Sequence, residues 1–295
     1  MTVGSITGHR KRRWGKYVMP YLFIAVPLLS FIIFVFIPML VSFWWSLNDY
    51  SGIQPPRFIG FQNYIDLFTR DKYFLQALRN TSIFVLLGMS IGPTLGLLTA
   101  ILLNQKVNFQ AIFRTAYYLP VMTSLVVVST IWVMLYNQNG LFNSILHAIG
   151  IQPVRWLSNP SIALVSVAIA SIWQGFGFET VIFLAALQSI PRELYEAAMI
   201  DGANGWQQFR YITVPSLRFV IAFVYIYGII GSYQVFDQVF VMTSGGPVHS
   251  TTTLVYYLFS KFQDLRLGYA SAIAYILFAI LVVFSLIELR LSREK

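Results

Sequence analysis

Charged residues are scarce in this 295-residue sequence, and cysteine is absent. Only 11% of the residues are charged, whereas soluble domains carry roughly 25%. So few charged side chains cannot cover the water-facing surface of a soluble protein of this length, in which 57% of the residues are hydrophobic. The lack of cysteine excludes disulfides, thiolate metal sites and cysteine nucleophiles. The composition therefore predicts a polytopic membrane protein.

The sequence contains several long stretches without charged residues. Residues 17–47 carry no charged side chain, and a helix of that length would measure roughly 46 Å, more than the ~30 Å hydrocarbon core. Five further stretches suit membrane spans: Leu78–Leu103, Ile112–Tyr136, Ile162–Leu187, Phe219–Met242 and Tyr269–Glu288. The sequence thus predicts an all-α protein with six spans. Its segments would be a basic tail (1–16), the first span (17–47), an outer loop (48–77) and a core (78–295).

The distribution of Lys and Arg predicts the orientation in the membrane. Thirteen of the 20 basic residues flank the N-terminus, the C-terminus and the second and fourth connections. By the positive-inside rule both termini and these connections face the cytoplasm. The basic excess is then a topology signal and predicts no nucleic-acid partner. The basic prefix resembles that of a signal peptide, but the apolar stretch after it is too long for one, so a retained anchor is expected.

The fourth connection, residues 191–216, has a helical pattern interrupted by glycine and closed by proline. Pro191 can open a helix, Gly202 would let the chain turn, and a second helix is expected from about Trp206. A small, apolar face results from the helical spacing of Tyr195, Ala198, Met199 and Gly202. This face could dock into a groove on another protein, or lie against the ends of this chain's own spans.

A resemblance to a known family begins at these residues. Glu196-Ala197-Ala198, followed by Gly202, Ile212 and Val214-Pro215, resembles the EAA loop of bacterial ATP-binding-cassette (ABC) importer permeases, with Val214 in place of the usual Leu. Further similar segments are 58–64, 78–81, 118–120, 243–247 and 251–254. Together they resemble the six-span permeases of the first carbohydrate uptake subfamily, which includes maltose, lactose and glycerol-phosphate types. The short N-terminal region and small outer loops are more similar to the lactose and glycerol-phosphate types.

The resemblance implies a type I ABC importer permease fold in a bacterial inner membrane. It also implies that a coupling helix docks on an ATPase subunit through Glu196, Ala197, Ala198, Met199, Asp201, Gly202 and Ala203. A second permease subunit, two ATPase subunits and an extracytoplasmic binding protein are the implied partners. The chain has no G-x-x-x-x-G-K-[ST] phosphate loop, so we expect it to bind no cofactor and not to be an enzyme, with ATP and Mg on the partner ATPases.

Two acidic residues, Glu179 and Asp237, fall inside predicted spans, where charge is costly. Each adjoins a polar stripe at helical spacing. The resulting candidates for a solute pathway are Ser171, Gln174, Gly175, Phe178, Glu179, Tyr227, Gly231, Ser232, Gln234 and Asp237. Amides and carboxylates hydrogen-bond sugar hydroxyls, and aromatic rings pack on the apolar sugar face. Alternatively these groups bond to one another or to a partner subunit, and Glu179 pairs with a charge there. The resemblance favours the solute pathway.

Two outward-facing loops are candidates for docking the binding protein. Their residues are Asn63, Tyr64, Gly245, Gly246 and Pro247, for which simple turn chemistry is the alternative.

Two other functions compete with a sugar importer. One is an ion-coupled secondary transporter that uses Glu179 or Asp237. The other is an ABC permease for a non-sugar solute such as glycerol phosphate. The scarcity of Lys and Arg within the spans favours a neutral solute over a phosphate. The three histidines are far apart in the sequence and predict no metal site.

Overall fold

A computed structural model describes residues 13–105 and 110–293. Most of the predicted basic tail, including Arg10, Lys11 and Arg12, lies outside the described residues, as do Lys106 and Lys295. The helices are α1 (Arg13–Phe31), α2 (Ile37–Ser46), α3 (Gln62–Thr69), α4 (Lys72–Asn104), α5 (Gln110–Met122), α6 (Leu125–Leu135), α7 (Leu141–Ala148), α8 (Ala163–Gln188), α9 (Arg192–Ile200), α10 (Gly205–Gln208), α11 (Val214–Ser216), α12 (Arg218–Tyr233), α13 (Asp237–Met242), α14 (Leu254–Gln263) and α15 (Leu267–Arg293). Two π-helical turns, Ile32–Phe36 and Phe209–Thr213, join α1 to α2 and α10 to α11. The strands β1 (Asn48–Asp49) and β2 (Arg57–Phe58) pair antiparallel.

The helical, membrane-spanning fold predicted from the sequence is confirmed. Within residues 13–105 and 110–293, four helical stretches are long and apolar enough to cross a membrane: Met19–Ser46, Lys72–Asn104, Ala163–Gln188 and Leu267–Ile287. Two bent helix pairs bring the number of candidate spans to six if each pair counts as one. The side chains of the first stretch are largely exposed, as expected of a helix that faces lipid or another subunit.

The first stretch is held at its C-terminal end by α15. The ring of Phe43 lies 5.0 Å from that of Tyr275, whose hydroxyl donates to the carbonyl of Met39. The backbone runs from α1 through a π-helical turn into α2, with Pro38 in the first turn of α2.

Residues 48–77, which were expected to be an outer loop, contain regular secondary structure. They contain the two strands and α3, and α4 begins at Lys72 rather than near Leu78. The early start has a local cause, because a carboxylate oxygen of Asp71 accepts hydrogen bonds from the backbone N–H groups of Tyr73 and Phe74, each at 3.0 Å. Such side-chain capping satisfies donors that the first helical turn leaves unpaired.

The third and fifth predicted spans are not single straight helices. The third is bent by 101° between α5 and α6, after Pro120. In the fifth, α12 ends at Tyr233 and α13 begins only at Asp237. At this break the carbonyl of Val235 accepts a hydrogen bond from the Thr253 hydroxyl at 3.1 Å.

Close backbone contact joins α4 to α8 in the centre of the molecule. A Cβ added at Gly96 would lie 2.8 Å from Cβ of Glu179 and 3.2 Å from the backbone nitrogen of Thr180. Gly177 of α8 meets the carbonyl of Tyr117 on α5 in the same way. Small residues allow this approach in membrane helices.

Three clusters are formed by buried side chains of the described residues. One contains Trp132, Tyr136 and Val167 and lies among α4, α6, α8 and α13. Another lies among α3, α4, α14 and α15. The third joins the C-terminal halves of α4 and α8 to the segment 191–216 and the start of α12. The 191–216 end of the molecule is therefore packed on the helices, and the turn before α4 lies at the opposite end.

Candidate functional site

A cavity of about 390 Å³ lies between α4, α8 and α12, with the break before α13 and the bend between α5 and α6 as further walls. This volume is within the range of small-molecule sites. All ten side chains or glycines predicted for a solute pathway line it: Ser171, Gln174, Gly175, Phe178, Glu179, Tyr227, Gly231, Ser232, Gln234 and Asp237. The two stripes predicted from helical spacing therefore face one common space.

The carboxylate of Glu179 rests against glycine. A Cβ at Gly92 would lie 3.1 and 3.2 Å from its two oxygens, which is a tight contact, so the acid packs closely against the bare backbone of this glycine. One of these oxygens, Oε2, is buried and has no hydrogen-bond partner within residues 13–105 and 110–293. A buried carboxylate oxygen without a partner is costly, so a donor from a ligand or another chain would stabilise it.

Aromatic rings line the cavity beside this acid. The rings of Phe178 and Tyr227 lie 5.3 Å apart, and Phe223 stacks on Tyr227 at 5.8 Å. The Gln174 amide reaches the carbonyl of Pro120 only at 3.5 Å, so most of its hydrogen-bonding capacity faces the cavity. The arrangement offers an apolar stacking surface next to hydrogen-bonding amides and carboxylates.

The charged side chains among the described residues that line the cavity are all acidic. Among the described residues that line it, Glu179 and Asp237 are acidic, and none is Lys, Arg or His. A cavity with this lining disfavours an anionic solute, because no cation compensates the charge that such a solute brings.

The predictions for this cavity left out the wall formed by α4. Gly88 and Gly92 line the cavity and, with Gly96, follow a spacing of four residues. That small-residue repeat is itself a known signal for close helix packing and could have indicated the contact. The bend residues Val121 and Leu125 gave no comparable signal.

The segment 191–216 forms two short helices joined by a turn at Gly202, as expected. Gly202 has a positive φ of 78°, and a capping box between Asn204 and Gln207 starts α10. Tyr195 faces the molecule, where its hydroxyl lies 2.9 Å from that of Thr213. Ile200, at 87% exposure, projects into the surroundings.

The small apolar face predicted on α9 is therefore divided between the two alternatives. Tyr195 and Ala198 are partly buried toward this chain's own helices, whereas Met199 and Gly202 are exposed. Among the predicted coupling residues, Glu196, Ala197 and Asp201 are also exposed, and Ala203 is partly buried. The surface open to another protein is thus formed by Met199, Ile200 and their polar neighbours.

The docking candidates at the opposite end have structural explanations. Asn63 is only 7% exposed, and its amide donates to the carbonyls of Ser46 and Asn48 at 2.9 and 3.0 Å. The Tyr64 hydroxyl lies 2.8 Å from that of Ser46. Asn63 thus joins α3 to the end of α2 and is too buried to contact a partner directly.

The loop that contains Gly245, Gly246 and Pro247 is internally hydrogen-bonded. Gly245 is buried with a positive φ of 78°, and a Cβ there would lie 2.5 Å from the Tyr256 ring. Gly246 and Pro247 are partly exposed, while the most prominent side chain is Val248, at 81% exposure. The sequence pattern identified the loop but not its protruding residue.

Comparison with known proteins adds independent findings. Residues 92–293 match the family model described as "Binding-protein-dependent transport system inner membrane component". The chain is 32% identical over 291 residues to the trehalose/maltose transport system permease protein MalF of Thermococcus litoralis, covering 98% of each. It is 36% identical over 283 residues to the lactose transport system permease protein LacF of Rhizobium radiobacter, covering 93% of this chain and 94% of that protein. A chain of a bacterial alginate ABC transporter, solved with a periplasmic protein that holds an alginate pentasaccharide, superposes with a TM-score of 0.83 at 25% identity, covering 97% of this chain and 98% of that chain.

Proposed function

Because the chain belongs to the family of binding-protein-dependent transport system inner membrane components, we propose that it is the permease subunit of an ATP-driven carbohydrate importer. It is a multi-pass inner-membrane protein of the ABC permease class. Its relatives include permeases named for trehalose/maltose and lactose, and for arabinooligosaccharides in Bacillus subtilis. In this function the chain forms half of the translocation pathway.

The cavity between α4, α8 and α12 is the observation that carries the proposal for the pathway. Its lining joins amides, two carboxylates and an aromatic pair, which is the chemistry that sugars require. The lack of a cation among its described residues supports a neutral sugar over a sugar phosphate or uronate. This contrasts with the acidic polysaccharide alginate named for the structural relative.

Energy would come from partner subunits. Met199 and Ile200, with Glu196, Ala197 and Asp201 beside them, form the exposed surface that we expect to enter a cleft of an ATPase subunit, where ATP and Mg bind. The 191–216 end and both termini would then face the cytoplasm. A second permease subunit would complete the pathway, and an extracytoplasmic binding protein would deliver the solute at the opposite end.

Uptake of radiolabelled sugar by the complete transporter in proteoliposomes tests the cavity. Gln174→Ala and Asp237→Asn should each weaken apparent sugar affinity or uptake about tenfold or more. The first variant removes an amide from the lining, and the second replaces a charged acceptor oxygen by a neutral NH2 donor. Gln188→Ala is the matched control, because Gln188 ends the same helix as Gln174 but is exposed outside the cavity. Unchanged uptake by both cavity variants, with the ATPase still bound, would contradict the assignment of the pathway.

A further inference from the structure

A second pocket, of about 640 Å³, lies at the end of the molecule opposite residues 191–216. The end of α3, the start of α4, α14 and the start of α15 form its walls. Four basic side chains line it, from Arg70, Lys72, Lys261 and Arg266, against two acidic ones, from Asp66 and Asp71. This outer pocket is separate from the solute cavity and shares no lining residue with it.

The two acids of the outer pocket already have partners. Oδ2 of Asp71 accepts from the hydroxyls of Tyr257 and Tyr269 at 2.6 and 2.7 Å, and Oδ1 accepts from two backbone N–H groups at the start of α4. Burial raises the pKa of Asp71, but these hydrogen bonds outweigh it and the net pKa lies below its usual range. Asp66 is paired with Arg70 at 3.0 Å.

The remaining cations are less completely neutralised. Lys261 pairs with Asp264 at 3.1 Å. The Arg266 guanidinium lies over the Tyr269 ring at 4.4 Å, and within the described part of the chain it forms no ion pair. The side chain of Lys72 is exposed and has no hydrogen-bond or ion-pair partner among the described residues. Asp71 keeps its negative charge, because its hydrogen-bond donors are neutral. With Asp66, Asp71 and Asp264 against four cations, the outer pocket keeps a net positive charge, and its Lys72 and Arg266 form no ion pair with the described residues.

The outer pocket is continuous with the loop that displays Val248. Gln76 lines the pocket and donates its amide to the carbonyls of Val248 and His249, at 3.4 and 3.1 Å. The Tyr73 ring, also in the lining, lies 4.4 Å from the His249 ring. An exposed apolar side chain beside a charged pocket suits a protein partner, because protein interfaces combine apolar contacts with charged rims. A lipid headgroup would require only the positive charge of the pocket, so it would not account for the exposed apolar side chain of Val248.

We propose that the outer pocket receives an acidic side chain, Asp or Glu, of the solute-binding protein when that protein docks. This inference rests on the proposed function, since it takes the binding protein as the partner. Charge complementarity of this kind raises the rate and the specificity of association, and its effect falls as salt screens the charges.

The test uses the complete transporter in proteoliposomes, with the sugar-loaded solute-binding protein of the same transport system as the probe. Sugar uptake is measured against the concentration of that protein at about 50 mM and 300 mM salt, where charge screening differs strongly. The double variant Lys72→Gln/Arg266→Gln should require about tenfold more binding protein for half-maximal uptake at low salt. Its response to salt should also be weaker than that of the wild type.

Arg57→Gln is the matched control, because Arg57 is an exposed cation of the same outer segment that does not line the pocket. A double variant with wild-type half-saturation and salt response would overturn the proposal. A second outcome would also overturn it. If the binding-protein concentration for half-maximal uptake changed with the anionic lipid content of the vesicles in the wild type but not in the double variant, the pocket would be assigned to lipid headgroups. Failure of the wild type to take up any sugar at all would refute the proposed function instead.

Discussion

Replacing Gly96 by alanine should disturb the contact between α4 and α8 more than its single methyl group suggests. The new Cβ would lie 2.8 Å from Cβ of Glu179, and 3.2 Å from the Thr180 backbone nitrogen, which cannot turn away as a flexible side chain would. One of the two helices must therefore move. Overpacking costs about 1–3 kcal/mol, and because the contacted backbone cannot yield, a cost of about 2–3 kcal/mol is expected here. Subtracting the gain of about 1 kcal/mol from replacing a helical glycine leaves a net loss of about 1–2 kcal/mol.

Thermal unfolding of the purified subunit in detergent measures this effect. At roughly 2–4 °C per kcal/mol, Gly96→Ala should lower the apparent Tm by about 2–8 °C. The matched control is Gly231→Ala on α12, where an added Cβ meets no atom within 4 Å and helix propensity should leave the Tm unchanged or slightly higher. Equal Tm values for the two variants would refute the reasoning about close helix approach.

Three further predictions concern other parts of the chain. Asn63→Ala should lower the Tm by several degrees, because it leaves two buried carbonyls unpaired, and wild-type stability would contradict the structural role given to Asn63. Since the pKa of Asp71 is lower in the folded protein than in the unfolded chain, its contribution to stability is present above about pH 4 and lost as the pH falls through the lowered value. Asp71→Asn should therefore lower the Tm at pH 7 and lose less stability than the wild type on acidification to about pH 3, and parallel losses would contradict this. Ile200→Glu should reduce co-purification of the ATPase at an unchanged Tm. The control is Ile53→Glu, the same substitution at an exposed residue of the outer loop, which should leave co-purification unchanged.

The sequence was sufficient to predict what depends on the local pattern of residues. The hydropathy pattern located the apolar helices, and the spacing of polar residues placed Gln174 and Tyr227 on the polar face of their helices. These features follow from helical periodicity, which is a property of the sequence itself.

Features that depend on contacts between distant residues were not predicted. At the break before α13, the carbonyl of Val235 accepts a hydrogen bond from Thr253, 18 positions away in the sequence. The inward position of Tyr195 depends on a bond to Thr213, and the burial of Asn63 depends on carbonyls at the end of α2. No local propensity contains this information, so the burial of Asn63 could not be read from the sequence.

The third cluster of buried side chains has a mechanical consequence. Leu187 and Ile190 at the end of α8 pack with Ala100 and Leu103 of α4, and Tyr195 is fixed to the segment that leads into α12. The segment 191–216 therefore packs against all three helices that line the solute cavity, and is not a flexible connection between them. A push on Ile200 would be delivered to Glu179, roughly 16 Å along α8 from Ile190, as a displacement of whole helices. We therefore expect residues 191–216 and the solute cavity to communicate by rigid movement of these helices, without any local unfolding between them.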